Sequence, residues 1–208
     1  MPKKQPRQRI YLQPGNELPE GYKLRDTFGL SLAHWQQLIL LNVIGAVLFF
    51  LFGWLFLDLS LRLRPELGDE ILAFSNQGVL VLLAGNLLGA ILLILVHELV
   101  HGLFFYYYTR ARPKFGLRLF YAYAAAPGWY LPRSNYFIVA LAPFVLITVL
   151  GLLVMPIIPL VIAPAFIFGL TMNAAGSVGD FAVVGWLLRQ PAKLLVEDVG
   201  DSVNVFGP

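Results

Sequence analysis

The sequence predicts an all-α membrane protein with about four transmembrane helices and a short membrane-associated β-hairpin or loop between the second and third helices. Hydrophobic residues make up 58% of the 208 residues and charged residues only 13%, whereas about a quarter of the residues in soluble domains are charged. The mean hydropathy is +0.72. A chain with so little polar surface cannot coat a water-soluble globule, so we expect it to cross a membrane several times.

Four apolar stretches each approach or exceed the roughly 20 residues that a helix needs to cross a bilayer. They lie at residues 34–57, 78–105, 136–155 and 156–188. The last stretch is long for one straight span. Either its helix extends beyond the bilayer, or Pro159 and Pro164 place irregular structure at its start.

The segment between the second and third stretches has the pattern of a strand. Residues 114–123 alternate imperfectly between apolar and polar side chains, and Gly128 and Pro132 interrupt the segment that follows. The alternative is an interfacial loop whose Tyr and Trp side chains lie at the lipid headgroups.

The distribution of charge predicts the orientation of the spans. Basic residues are concentrated in the first 33 residues and in residues 110–133, whereas residues 58–77 carry four acidic residues against two arginines. Because basic segments beside membrane spans stay in the cytoplasm, we expect a multi-pass protein of the cell membrane with both termini cytoplasmic. The basic clusters are interpreted as contacts with anionic lipid, not with nucleic acid.

This topology divides the chain into three parts. Residues 1–33 are expected to form a basic cytoplasmic arm without the apolar core of a signal peptide. Residues 34–189 form the multi-pass membrane core, and residues 190–208 form a cytoplasmic tail. Asp198 and Asp201 in the tail are interpreted as solvated carboxylates, with a gating or pseudo-substrate role as the alternative.

The second apolar stretch contains the motif H-E-x-x-H at residues 97–101. His97 and His101 are four residues apart, so they project from one face of a helix and can converge on one metal ion. Glu98 between them is placed to accept a proton from a metal-bound water. Titratable residues within a membrane span are rare and are functional by default.

A third metal ligand is predicted from the scarcity of charge in the spans. The chain has no cysteine, so the ligands must be imidazole and carboxylate groups, and His34 at the start of the first span is interpreted as interfacial. Within the spans the acidic residues are Glu98 and Asp180, and the predicted topology places Asp180 at nearly the depth of His97. We therefore predict one Zn²⁺ ion bound by His97, His101 and Asp180, with the fourth position open for water.

Other polar residues near Asp180 extend this prediction. Asn173 and Ser177 share a helix face with Asp180 and are assigned a supporting or substrate-contact role, which second-shell polar groups often have. The alternative is packing of small residues, in which Gly176 and Gly179 let a neighbouring helix approach closely.

These motifs resemble those of known membrane peptidases. An H-E-x-x-H motif followed by a distant Asp in a later span resembles the site-2 protease type of intramembrane zinc metalloprotease. The match is closer to the putative zincin peptidase family of small membrane proteins (domain of unknown function 3267), over residues 79–205. It is carried by His97-Glu98-Leu99-Val100-His101-Gly102 and by Asn173 with Gly176-Ser177-Val178-Gly179-Asp180. The Leu-Asp-Gly motif of site-2 proteases is absent here, because Gly179 precedes Asp180 and Phe181 follows it.

The resemblance implies a zinc-dependent intramembrane or membrane-embedded metalloprotease that hydrolyses peptide bonds by Glu-assisted attack of zinc-bound water. Its substrate is expected to be a membrane protein or a peptide. Site-2 proteases carry a β-hairpin at the place of residues 114–123, and the edge of such a strand can pair with an extended substrate segment.

Two other functions are compatible with the sequence. A metal-ion or proton transporter could use the buried His, Glu and Asp cluster as a relay, and a non-catalytic membrane scaffold could keep the zinc site for folding. A transporter usually needs polar groups distributed across the whole membrane, whereas here they cluster at one level. The sequence therefore favours a hydrolase.

Overall fold

The computed structural model describes residues 12–29, 35–69, 71, 79–118 and 121–208. The first eleven residues of the basic arm and His34 lie outside the described residues. The described chain is mostly helical, with five long α-helices. They are α1 (Trp35–Leu63), α2 (Val79–Thr109), α3 (Arg133–Val154), α4 (Ala163–Gly176) and α5 (Val178–Leu188).

Four of the described segments are long and apolar enough to cross a membrane. They are Trp35–Leu63, Gly85–Thr109, Arg133–Ile157 and Leu160–Leu188, the last of which comprises α4 and α5. Many of their largest apolar side chains face outward, including Phe50, which is 75% exposed, and Leu153, which is 69% exposed. Helices that are apolar on their outer faces suit a lipid environment and not water.

The fourth apolar stretch is irregular at its start, as one of the two sequence alternatives requires. Two 3₁₀ turns, Met155–Ile157 and Leu160–Ile162, precede α4, and Pro164 lies in the first turn of α4, where proline is tolerated. A second interruption at Ser177 separates α4 from α5 and was not predicted from the sequence.

The helices pack around α4 and α2. Helix α1 lies along α4, and α2 contacts both α3 and α4. Small residues mark the closest approaches: a Cβ atom built on Gly53 of α1 would lie 3.2 Å from the Cγ2 atom of Thr171 in α4. One hydrophobic cluster, which includes Phe105, Val139 and Leu187, joins α2, α3 and α5 to the strands at one end of the bundle.

The predicted all-α class is incomplete, because the described part of the chain also contains six short strands. They are β1 (Lys23–Gly29), β2 (Lys114–Leu117), β3 (Ala122–Ala125), β4 (Leu131–Pro132), β5 (Leu195–Asp198) and β6 (Ser202–Gly207). Strands β1, β6, β5 and β4 form one antiparallel sheet in that order. The sheet was not predicted from the sequence because its first and last strands lie almost a whole chain apart.

The strand interpretation of residues 114–123 is the one that the structure supports. Strands β2 and β3 form an antiparallel hairpin, with Lys114 opposite Ala125 and Leu117 opposite Ala122. The hairpin contacts α2. A Cβ atom on Gly102 of α2 would lie only 2.4 Å from the ring of Phe115, so this glycine lets the hairpin lie close to the helix.

Candidate metal centre

Helix α2 presents both histidines of the H-E-x-x-H motif on one face. The ring centroids of His97 and His101 lie 4.9 Å apart, as the i, i+4 spacing predicts. The His101 side chain is 10% exposed and the His97 side chain 12%. Both imidazoles are therefore largely withdrawn from solvent but not sealed from it.

Asp180 in the first turn of α5 faces both imidazoles. Its Oδ2 atom lies 3.2 Å from Nε2 of His97, and its Oδ1 atom lies 3.3 Å from Nε2 of His101. One ligand atom from each of the three residues lies within 4.8 Å of the others. The structure thus brings together the three residues that were predicted as metal ligands.

The other nitrogen of each imidazole meets an oxygen acceptor. Nδ1 of His97 lies 3.1 Å from Oδ1 of Asn173, and Nδ1 of His101 lies 3.0 Å from the carbonyl oxygen of Val139. Because both partners are acceptors, each Nδ1 carries the proton, and in the neutral imidazole Nε2 is left with its lone pair. Orientation by such partners is usual for histidines that bind metal ions.

The donor set fits a divalent cation. Two unprotonated Nε2 atoms and a carboxylate face one another, so lone pairs oppose negative charge unless a cation or a proton lies between them. Each Nε2 atom lies 3.2 Å or 3.3 Å from an oxygen of Asp180, and one ligand atom from each residue lies within 4.8 Å of the others, so the three side chains are close enough to share one ion. Among the described residues, this is the group of His, Asp and Glu side chains that could hold a metal ion.

Glu98 lines the same cavity as the two histidines. Its carboxylate is half-buried and interacts with the backbone of Ala124 in strand β3. A carboxylate beside a metal site, held by a backbone N–H group, is suited to accept and return a proton. The strand thus contributes to the site through its main chain.

A family comparison agrees with this geometry. Residues 90–195 match the family model described as "Putative zincin peptidase", domain of unknown function 3267. The chain belongs to this family. The match contains both histidines, Glu98, Asn173 and Asp180, and it supports a zinc metallopeptidase in general terms. No curated protein and no solved structure matches the chain significantly.

The cavity of this zincin-family chain has a volume of about 180 Å³ and four walls. Helix α2 supplies the H-E-x-x-H residues, and residues 121–124 supply the edge of strand β3. The junction of α4 and α5 supplies Gly176, Gly179 and Asp180. The fourth wall is the turn between β5 and β6, together with Val203 at the start of β6.

The glycines beside Asp180 do not serve close helix packing. A Cβ atom on Gly176 or on Gly179 would meet no heavy atom within 4 Å, so the interpretation that they admit a neighbouring helix is wrong. Both glycines line the cavity of this zincin-family protein instead. Their lack of side chains keeps the wall beside Asp180 open.

Asn173 and Ser177, the two predicted supporting residues, differ in their contacts. Asn173 is 1% exposed and contacts His97, while its Nδ2 atom has no hydrogen-bond partner among the described residues. Ser177 is fully buried and donates its hydroxyl to the carbonyl oxygen of Asn173 at 2.9 Å. Ser177 therefore satisfies a carbonyl at the interruption between α4 and α5, and among the described residues its hydroxyl bonds this carbonyl and neither histidine.

Asp198 near the cavity is not the solvated tail residue that the sequence suggested. Its Oδ2 atom accepts a hydrogen bond of 2.6 Å from the hydroxyl of Tyr136, and its Oδ1 atom accepts one of 2.8 Å from the N–H of Gly200. Burial raises the pKa of Asp198 to about 6, although both hydrogen bonds act in the opposite direction. The alternating pattern of β6 was the available signal that the tail forms a buried sheet.

Proposed function

We propose that this protein is a zinc-dependent, membrane-embedded metalloprotease in which Glu98 assists the attack of water on a peptide bond. The observation that carries the proposal is the convergence of His97, His101 and Asp180, with Glu98 lining the same cavity. Membership of the zincin peptidase family supports the reaction class. One zinc ion, bound by the three converging residues, is the proposed cofactor.

The residues of the site have separate roles in the proposed hydrolysis. When bound, zinc lowers the pKa of water toward about 7 and polarises a carbonyl group. Glu98 accepts the proton of the attacking water and delivers it to the leaving amine. Asn173 and Val139 hold the imidazoles of His97 and His101 in the tautomer that presents Nε2 to the metal.

Asn173 has a second proposed role in substrate contact. Its Nδ2 group is buried and unpaired among the described residues, and a buried donor without a partner is costly. A carbonyl oxygen of a bound peptide, or an ordered water, would satisfy this donor. Ser177 supports Asn173 through its hydrogen bond and is not proposed to touch the substrate.

The edge of strand β3 at Ala122 is the proposed binding site for the substrate backbone, because the main chain of Ala124 already interacts with Glu98. Arg118 donates its backbone N–H to the carbonyl of Tyr121, so these residues form a hydrogen-bonded pair of the hairpin. In an antiparallel ladder such pairs alternate with non-hydrogen-bonded ones, which directs the N–H and C=O groups of Ala122 and Ala124 away from β2. An extended substrate segment can add to this edge beside Glu98.

The fold supports the proposed location in a membrane. Four helical segments are long and apolar enough to span. Strands β1, β4, β5 and β6 belong to one sheet, which gathers the N-terminal region, the segment before α3 and the C-terminal region at one end of the bundle. With the positive-inside rule, we place this end and the metal centre on the cytoplasmic side of the cell membrane.

Metal content and peptide hydrolysis of the purified protein test the proposal together. Wild type should contain about one zinc per chain, and His97→Ala should lose most of it because one of three ligands is removed. Glu98→Gln should keep the zinc, while hydrolysis of a fluorogenic peptide falls by about 10²–10⁴-fold. Glu66→Gln is the matched control, since Glu66 is exposed and pairs with Arg64 away from the cavity.

The same variants discriminate between the alternatives. Full peptidase activity in Glu98→Gln would remove the proposed mechanism. Zinc or proton flux into proteoliposomes without any cleavage would favour a transporter. Tight zinc in a wild type that neither cleaves nor transports would favour the non-catalytic scaffold.

A further inference from the structure

The cavity at the metal centre is too small for the proposed substrate. Its volume is about 180 Å³, whereas sites for small organic ligands usually occupy about 300–1,000 Å³. A peptide that pairs with β3 and also reaches Glu98 would extend beyond this volume. Movement of one of the four walls would enlarge the space that the peptide can enter.

The wall formed by residues 198–202, which we call the strap, is fixed at its inner end. Asp198 accepts the hydroxyl of Tyr136 and the N–H of Gly200 through its side chain. Its carbonyl accepts the backbone N–H of Ala126, which follows β3 in the chain. Two of these hydrogen bonds join the strap to other parts of the chain, and the third, from Gly200, lies within the strap; together they make this end the less mobile one.

The outer end of the strap combines main-chain pairing with one exposed ion pair. Ser202 lies opposite Gly29 of β1, and its carbonyl accepts the N–H of Val199. Nε and Nη2 of Arg118 donate to the two carboxylate oxygens of Asp201 at 2.9 Å and 2.6 Å, and the side chains are 53% and 52% exposed. The hydroxyl of Tyr121 lies 3.4 Å from the same carboxylate. Exposed ion pairs contribute little stability and are screened by salt, so this contact can break and form again readily.

Between its two ends the strap lies on the ring of Tyr123. Gly200 has a φ of 93°, and a Cβ atom there would lie 2.4 Å from the Tyr123 ring. The Tyr123 ring is packed equally closely against Gly116 of β2, where an added Cβ atom would also lie 2.4 Å from the ring. Tyr123 belongs to β3, so the strap covers the cavity directly beside the proposed substrate edge.

We propose that the strap is a gate over the metal centre and that the ion pair between Arg118 and Asp201 is its latch. In the closed state the strap completes the fourth wall of the cavity. When the latch opens, the turn at Gly200 and Asp201 moves away from the Tyr123 ring and uncovers the edge of β3 at Ala122, while Asp198 and Ser202 stay in the sheet. This inference rests on the proposed function only in assigning a peptide as the molecule that enters.

Thiol labelling tests the gate without any assay of turnover. The chain has no cysteine, so Ser202→Cys, a half-buried position that lines the cavity, introduces a single reporter. In this background we expect Asp201→Asn to raise the rate of reaction with a charged, water-soluble maleimide by about two- to fivefold. The exchanged pair Arg118→Asp with Asp201→Arg should restore the slow rate.

Two controls separate the latch from a general loosening of the fold. Asp58→Asn breaks a comparable exposed pair with Arg62 in α1 and should leave the labelling rate unchanged. A rise in NaCl concentration should accelerate labelling in the reporter protein, because salt screens the latch, but not in its Asp201→Asn derivative.

The outcomes distinguish the gate from the peptidase. Equal labelling rates with and without Asp201→Asn at low salt, or an exchanged pair that labels as fast as the single variant, would overturn the gate even if peptides are cleaved. Labelling that changes as expected in a protein that cleaves no peptide would support the gate and contradict the proposed function.

Discussion

Nδ1 of His97 lies 3.1 Å from the amide oxygen of Asn173, and this contact leaves Nε2 of the same imidazole facing Asp180. The two partners come from α2 and α4, so the orientation of a metal ligand depends on the packing of two helices. The arrangement explains why a neutral amide, and not a second carboxylate, occupies position 173. An amide oxygen accepts the N–H without adding charge to a buried site.

Replacing Asn173 with alanine should weaken metal binding without abolishing it. The three ligands remain, but His97 loses the acceptor that sets its tautomer and ring orientation. We expect zinc affinity to fall by about 10–100-fold, measured by competition with a chromogenic chelator. Asn42→Ala is the control, because Asn42 is an amide in α1 that donates its Nδ2 group to the carbonyl of Leu38; an equal loss in that variant would contradict the assignment.

Removal of zinc should destabilise the wild type but not the variant Asp180→Ala. A metal that binds the folded state and not the unfolded state adds about 2.7 kcal/mol of stability at 100 times its dissociation constant. We expect the thermal unfolding midpoint in detergent to fall on chelation and to recover when zinc is returned. Asp180→Ala should unfold at the same temperature with chelator and with zinc. A fall in its unfolding midpoint on chelation as large as that of wild type would exclude Asp180 as a ligand.

Gly102→Ala should lower turnover more than metal content. The added Cβ atom would lie 2.4 Å from the ring of Phe115, so this ring must move, and we expect β2 to shift with it and carry the edge of β3 away from Glu98. Displacement of the strand that positions the substrate can lower the rate of peptide hydrolysis about tenfold or more. Gly89→Ala in the same helix meets no atom within 4 Å and should leave both zinc content and hydrolysis unchanged.

Asp198→Asn should alter the pH dependence of stability. Burial raises the pKa of Asp198 to about 6 from 3.8, the hydroxyl of Tyr136 and the charge of His101 lower it, and the charge of Asp180 raises it. The protonated form is therefore favoured in the fold, and the stability that it contributes is present below pH 3.8 and is lost as the pH rises through 6. In the neutral Asn variant this loss disappears.

The stability of Asp198→Asn should therefore increase relative to wild type between about pH 4 and pH 7, by about 3 kcal/mol at the upper end. Thermal unfolding in detergent across this pH range measures the difference. Tyr136→Phe removes a donor that favours the ionised carboxylate, so its stability should fall relative to wild type as the pH rises. A difference that stays constant with pH in both variants would show that Asp198 does not titrate in the fold in this range.

The metal centre was largely predictable from the sequence because its central residues follow local rules. The separation of His97 and His101 places them on one helix face wherever that helix lies. Asp180 could be assigned because charged residues are scarce in the spans and because the topology placed it at the depth of His97. Their roles in metal binding and catalysis remain predictions.

The supporting contacts could not be predicted because they use the backbone or residues distant in the sequence. The carbonyl of Val139 and the main chain of Ala124 carry no side-chain signal. The sequence around the interruption at Ser177 contains no proline, so it predicts one continuous helix. The pair of Arg118 and Asp201 joins two loops that only the four-stranded sheet and the hairpin bring together.

The pairing of β1 with β6 has a consequence for biosynthesis. Lys23 lies opposite Gly207, so β1 is synthesised long before β6, its partner in the sheet. The helices and the H-E-x-x-H residues can insert while translation continues, but β6 and the turn before it arrive afterwards. The wall formed by residues 200–203 is therefore the last of the four to be synthesised, and until then the nascent chain carries its converging histidines in an unfinished cleft.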